Sequence, residues 1–326
     1  MSSPVWQKDL SSVIDKWASS SKNRAVVISP DVDGLTSAAI LNEFYPLKII
    51  GIYTTTHLLM LDNYDRNDAK NALWLDHDVS QAGIKCIGQH LVHHKSTDVL
   101  PLREKLSWNP NVWLNQAWAE SFSGVGGKKR DKYPYGTAHF LWDLKFGNIE
   151  PTPEQTAILA HADGTWFALD CYKANASIWR DLMFAESKWI NKLLNYRNEH
   201  KAHPLHQDIV NKLREIGYTS QSRSPKANNL PGDLKSLTGS QSLTIRITSN
   251  PQRYLDKIKL GLDLISSHIG SQPEIGTTAN FILSGKRTSF YPNRIDNFDS
   301  MMVEEKMFSH AFTDLRTLSF TTGISL

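Results

Sequence analysis

Apolar side chains recur at helical spacing over residues 4–18, where Pro4, Val5, Trp6, Leu10, Val13, Ile14 and Trp17 can share one face. The pattern then tightens into short continuous runs. Residues 24–29, Leu47–Tyr53, Ala72–Leu75 and part of Cys86–Val92 read as buried strands, with a turn at Pro30–Gly34 and a helix at Leu35–Phe44 between the first two. Helical spacing returns at 136–147, 153–162, 182–197 and 205–216. The stretch 219–242, rich in Ser, Asn, Gly and Pro, has linker chemistry. Beyond it come a strand at 243–248, a helix at 251–269 and strands at 278–284 and 317–322. Strands alternating with helices predict an α/β fold with a parallel sheet in residues 1–218, followed by the 219–242 linker and a smaller α+β domain at 243–326.

Composition narrows the picture without naming a chemistry. The 326 residues are 40% hydrophobic and 21% charged, which excludes disorder and collagen-like repeats. The net charge of +3 permits an anionic partner but is far from polybasic. Two cysteines, Cys86 and Cys171, form no C-x-x-C pair and no disulfide framework, so a reducing, cytoplasmic compartment is expected. No signal pattern opens the sequence and no run is apolar enough to span a bilayer, so no membrane association is expected.

Acids and histidines cluster just past three of the strand ends: Asp31 and Asp33, then Asp76, His77 and Asp78, then His93 and His94. In parallel sheets this is where ligands bind. Hard divalent cations take carboxylate oxygen, and imidazole suits manganese or zinc. Asp31 and Asp33, two apart in a turn, can face one point; Asp76 can bridge two ions, and Asp163 in His161-Ala-Asp163-Gly164 can close the set. Two ions about 3.5–4 Å apart would activate water for in-line phosphoryl displacement. Each piece alone also reads as a capped turn, a helix cap or a packed histidine. Their joint order along the chain carries the functional reading.

The stretch Ser29-Pro-Asp-Val-Asp-Gly-Leu-Thr-Ser-Ala-Ala-Ile-Leu41 resembles the first motif of the DHH phosphoesterase superfamily. Leu73-Trp-Leu-Asp76 resembles the second, Leu91-Val-His-His94 the third, Gly136-Thr-Ala-His-Phe-Leu-Trp142 an intervening helix, and Ala160-His-Ala-Asp163 the fourth. The resemblance covers roughly residues 24–165 and implies a catalytic DHH-like domain. It implies Asp31 on one metal, Asp33, His93 and Asp163 on a second, Asp76 bridging both, and His94 at the scissile phosphate. Manganese is the implied ion, one or two per site, with magnesium as a substitute. The sequence departs from the family at Val92, where the triplet has an acid, and at the first-motif ligand, whose candidate positions hold Val27 and Ser29. His77, Asp78 and His90 are additional donors close to the motifs. A zinc site at His90, His93 and His94 is a further alternative.

Cationic side chains suggest where a phosphate would sit. Lys128 lies in the Gly-rich basic loop Ser121–Arg130, which lacks the Walker A spacing, and the aromatic residues Trp113, Trp118, Tyr133 and Tyr135 flank it as possible stacking platforms. Ser284-Gly-Lys286-Arg287 and Arg294 offer cations near a strand end. The expected activity is metal-dependent hydrolysis of phosphodiesters in single-stranded nucleic acid, short oligonucleotides or cyclic dinucleotides. The alternative is a degenerate relative that binds a nucleotide or protein partner without turnover.

Overall fold

The computed structural model describes residues 4–20, 24–81, 83–90, 107–113, 133–165, 169, 173–199, 204–220, 243–244, 250–290, 307–314, 317–324 and 326. In chain order the elements are α1 (Val5–Ser20), β1 (Ala25–Ile28), α2 (Val32–Asn42), β2 (Lys48–Tyr53), β3 (His57–Leu61), α3 (Arg66–Asn71), β4 (Leu73–Leu75) and β5 (Lys85–Ile87). Next come α4 (Pro110–Trp113), α5 (Thr137–Phe146), α6 (Pro153–His161) with a 3-10 turn at Ala162–Gly164, α7 (Lys173–Met183), α8 (Lys188–Glu199) and α9 (Pro204–Ile216). The remainder is β6 (Thr219–Ser220), β7 (Leu243–Thr244), α10 (Pro251–Ile269), β8 (Glu274–Ile275), β9 (Ala279–Ser284), β10 (Lys286–Phe290), β11 (Ser309–Asp314) and β12 (Thr317–Thr322).

These elements form two compact units of non-contiguous segments: Met1–Ser29, Leu47–Tyr133 and Glu274–Leu326 in one, Pro30–Pro46 and Pro134–Pro273 in the other. The units cut across the 1–218, 219–242 and 243–326 division read from composition. Helix α10 belongs to the second unit and the strands after it to the first. Residues 221–242 lie outside the described residues.

The first unit is mixed α/β around a mostly parallel sheet of order β5-β4-β1-β2-β3-β9, with β8 also beside β2. Strands β1, β2, β4, β5 and β8 pair in parallel. Strands β1 and β4 are buried along nearly their whole length, as expected when both faces of a parallel sheet are covered, and this explains runs such as Ala-Val-Val-Ile and Leu-Trp-Leu. An entirely parallel sheet is not formed, because only Thr54, Thr55 and Thr56 separate β2 from β3. That connection is too short for a crossover, so the two strands pair antiparallel, with Thr55 at φ 69° in the turn. Strand β9 then adds antiparallel to β3, while β10, β12 and β11 make a separate antiparallel sheet. Tyr53, Trp74 and Phe308 meet edge to face in the core, with ring centroids 5.4–5.5 Å apart.

The second unit is a helical assembly around α2, which packs against α5, α6 and α10. Every residue of α2 from Val32 to Leu41 is buried, so it is a central helix rather than an amphipathic one. It starts earlier than the expected Leu35: the Asp31 side chain accepts from the Gly34 amide, turning the expected turn into a helix cap and first turn. Helix α6 opens with a reciprocal capping box between Thr152 and Gln155. No helix among the described residues is long and apolar enough to cross a membrane.

His139 ties α5 to α6 inside this unit. Its Nδ1 accepts from the Gly136 amide at 2.9 Å and its Nε2 donates to the Leu159 carbonyl at 2.9 Å. Burial pushes its pKa down to about 4, against the smaller opposing pull of those backbone contacts. The unfolded chain therefore binds a proton at His139 that the folded chain refuses, so stability is complete above pH ~6.5 and is lost as pH falls toward 4. From pH 7.5 to 5 the loss due to this residue is about 2 kcal/mol. Urea denaturation of His139→Gln should show a correspondingly shallower acid dependence than the parent chain; identical slopes would contradict the assignment.

Candidate functional site

Asp76 is the first residue beyond β4, where its amide donates to the Ile87 carbonyl at 2.8 Å and its backbone is left-handed at φ 59°. Its carboxylate is 2% exposed. One oxygen accepts from the Ser29 hydroxyl at 2.6 Å, and the other lies 3.4 Å from Nε2 of His90. Burial pushes this carboxyl up, but the hydrogen bond and charge of His90, joined by His77 and Ser29, outweigh it and hold Asp76 well below the usual carboxylate range. A buried carboxylate in this setting remains an anion. His90 is 24% exposed, so the pair joins a buried anion to an imidazole that solvent or a ligand can reach.

The neighbours of Asp76 serve different ends. His77 is buried against the rings of Tyr53 and Trp74, with centroids 4.9 and 6.1 Å away, and its contact with the Ile28 backbone leaves Nε2 without a hydrogen bond among the described residues. Burial pushes its pKa down to about 4, so it packs as a neutral ring. Asp78 is buried and turns to the protein scaffold, accepting from the His90 amide at 2.8 Å and from the Asn109 side chain at 3.0 and 3.1 Å.

The other expected acids fall in the second unit. Asp31 and Asp33 serve two different helix ends. Asp31 caps its own helix, while the two oxygens of Asp33 accept from the amides of Thr137 and Ala138, both at 2.8 Å. Asp33 thus caps α5 from outside, in place of a side chain that Gly136 lacks. A Cβ at Gly136 would stand 2.4 Å from the Asp33 carboxylate, so only glycine admits this approach. Asp163 sits in the 3-10 turn after α6 at φ 46°, and that turn packs against α2.

His93, His94, Lys128 and Arg294 lie outside the described residues. Lys286 and Arg287 open β10 and are exposed, with Arg287 donating to the Thr55 hydroxyl at 3.4 Å. Tyr133 and Tyr135 are buried rather than displayed for base stacking, and the Tyr135 hydroxyl donates to the Ala176 carbonyl. Sequence reasoning missed the hydrogen bond of Ser29 to Asp76, 47 residues further along the chain. It also missed Asn109, Asn111 and Gln89, whose contacts surround His90; nothing in their spacing marks them.

No group of three or more His, Cys, Asp or Glu side chains among the described residues has the arrangement of a metal site. The donor pair Asp76–His90 fits one edge of such a site: two donors bound to a common ion at ordinary distances lie about 3–3.5 Å apart, and oxygen with imidazole nitrogen suits manganese. Set against known proteins, the chain matches no family model, no curated protein and no solved structure.

Removing the Asp33 carboxylate strands two buried amides. Asp33→Ala should lower unfolding stability by about 3 kcal/mol, with Asp33→Asn recovering part of it through its remaining oxygen. Thermal melts of both variants check this; an unchanged melting temperature for Asp33→Ala would contradict the capping role.

Proposed function

We propose that the chain is a divalent-metal-dependent phosphoesterase acting on phosphodiester bonds of single-stranded nucleic acid, short oligonucleotides or cyclic dinucleotides. The supporting observation is the buried Asp76 beyond a parallel strand, its carboxyl held below the usual range, paired with the part-exposed His90. The order of the motifs resembling the DHH superfamily supports the same reading, which gives the chain a DHH-like catalytic domain working in a reducing, cytoplasmic setting.

Asp76 and His90 would hold the ion, manganese or magnesium, with Asp76 supplying charge and His90 supplying nitrogen. When bound, such an ion polarises a phosphoryl oxygen and lowers the pKa of water. Ser29 holds one Asp76 oxygen fixed, so the other faces His90. The cost of desolvating this carboxylate is met in advance by these contacts, and its orientation does not have to be found on binding.

A second reading, binding of a nucleotide or protein partner without turnover, is favoured by two observations. Both oxygens of Asp33 are engaged by helix amides, and a first-motif ligand position holds Ser29, bonded to Asp76.

Hydrolysis of bis-p-nitrophenyl phosphate with manganese separates the two. The phosphoesterase reading predicts turnover that falls at least ~100-fold in Asp76→Ala while circular dichroism remains that of the parent. Folded protein with no turnover in manganese or magnesium, on this ester or on labelled single strands and cyclic dinucleotides, would leave only the binding reading.

A further inference from the structure

The peptide group joining Gln89 to His90 is gripped at both ends by buried side chains. Its N–H donates to Asp78 at 2.8 Å, and its carbonyl accepts from the Asn111 side-chain amide at 2.8 Å. Asn109 connects the two grips: its side-chain nitrogen donates to both Asp78 oxygens, and its oxygen accepts from the Asn111 backbone amide at 2.9 Å. Asp78, Asn109, Asn111 and Gln89 are all buried.

The backbone puts these groups in register. Trp108 lies beside Ile87 as a parallel bridge, its amide donating to the Cys86 carbonyl and its carbonyl accepting from Gly88. This brings Asn109 to Asp78 and places Asn111, on α4, under Gln89. Gly88 cannot carry a side chain here, because a Cβ would lie 2.7 Å from the His77 carbonyl oxygen and 2.9 Å from Asp78. Downstream of the gripped peptide the Gln89 side-chain nitrogen stands 3.2 Å from His90 Nδ1 and 3.3 Å from Nε2, and Nε2 also lies 3.4 Å from Asp76.

We propose that Asp78, Asn109 and Asn111 are positioning residues that lock the Gln89–His90 peptide and so aim the His90 imidazole at Asp76. Four polar side chains buried around one peptide group cost more than an apolar filling unless their hydrogen bonds specify a geometry, and the geometry specified here is that of His90. The role of this clamp in holding a metal rests on the phosphoesterase reading; the clamp itself does not.

Two isosteric variants of the full chain test it. Asp78→Asn weakens the grip on the N–H, and Asn111→Asp removes the donor to the carbonyl. The imidazole nitrogen-15 shifts of His90, assigned with His90→Gln, report the surroundings of its ring nitrogens, and calorimetric titration with manganese alone reports affinity. In both variants the His90 nitrogen shifts should move from their parent values as the ring loses its fixed place beside Asp76, and manganese affinity should fall about 10- to 100-fold. Unaltered His90 shifts in folded Asn111→Asp would overturn the clamp, whatever Asp78→Asn does to folding. Moved His90 shifts in the variants of a chain whose parent form binds no manganese would uphold the clamp and remove the metal reading alone.

Discussion

A carboxylate inside a protein must be met by hydrogen-bond donors or it takes up a proton, and the loops of the first unit are organised around that requirement at Asp76. Strand β4 delivers Asp76 into the interior, its left-handed backbone turns the side chain between Ser29 and His90, and those two groups keep it anionic. Everything that fixes His90 therefore bears on the charge of Asp76. Asp78, only two residues further, accepts from the His90 amide and the Asn109 side chain, so two acids in one short segment meet different donors.

The same economy appears in the second unit. Asp31 and Asp33 both act at helix N-termini, where backbone N–H groups and the helix dipole favour a negative charge. Asp33 reaches across to α5 because Gly136 leaves the space and has no side chain of its own to offer. His139, one turn into α5, completes the junction by bonding the Gly136 amide and the Leu159 carbonyl.

The elements legible in the sequence were those set by local periodicity. The amphipathic α10 matches its expected span of 251–269, and the buried runs of β1, β2 and β4 emerge as parallel strands. Helix α2 was placed correctly but started late, because an Asp-x-Asp-Gly turn and an Asp-capped helix share one spelling. Strand β3 escaped notice, since a short apolar run such as His-Leu-Leu-Met-Leu has no period that separates strand from helix, and β10 and β11, Lys-Arg-Thr-Ser-Phe and Ser-His-Ala-Phe-Thr-Asp, hold too few apolar residues to show one. At the candidate site, Asp76 was legible from its place after an apolar run. The clamp around His90 was not, because Asn109 bonds the Asp78 carboxylate 31 residues away and Asn111 the Gln89 carbonyl 22 residues away, which leaves no spacing signature.

The account stands on Asp76 and His90 forming the edge of a cation site. Crystals of the full chain soaked in manganese chloride and measured at the manganese absorption edge address this directly. An anomalous peak within about 2.2 Å of both an Asp76 oxygen and a His90 nitrogen is the predicted result. Well-ordered Asp76 and His90 side chains that remain bonded to each other, with no such peak between them at saturating manganese, would contradict it.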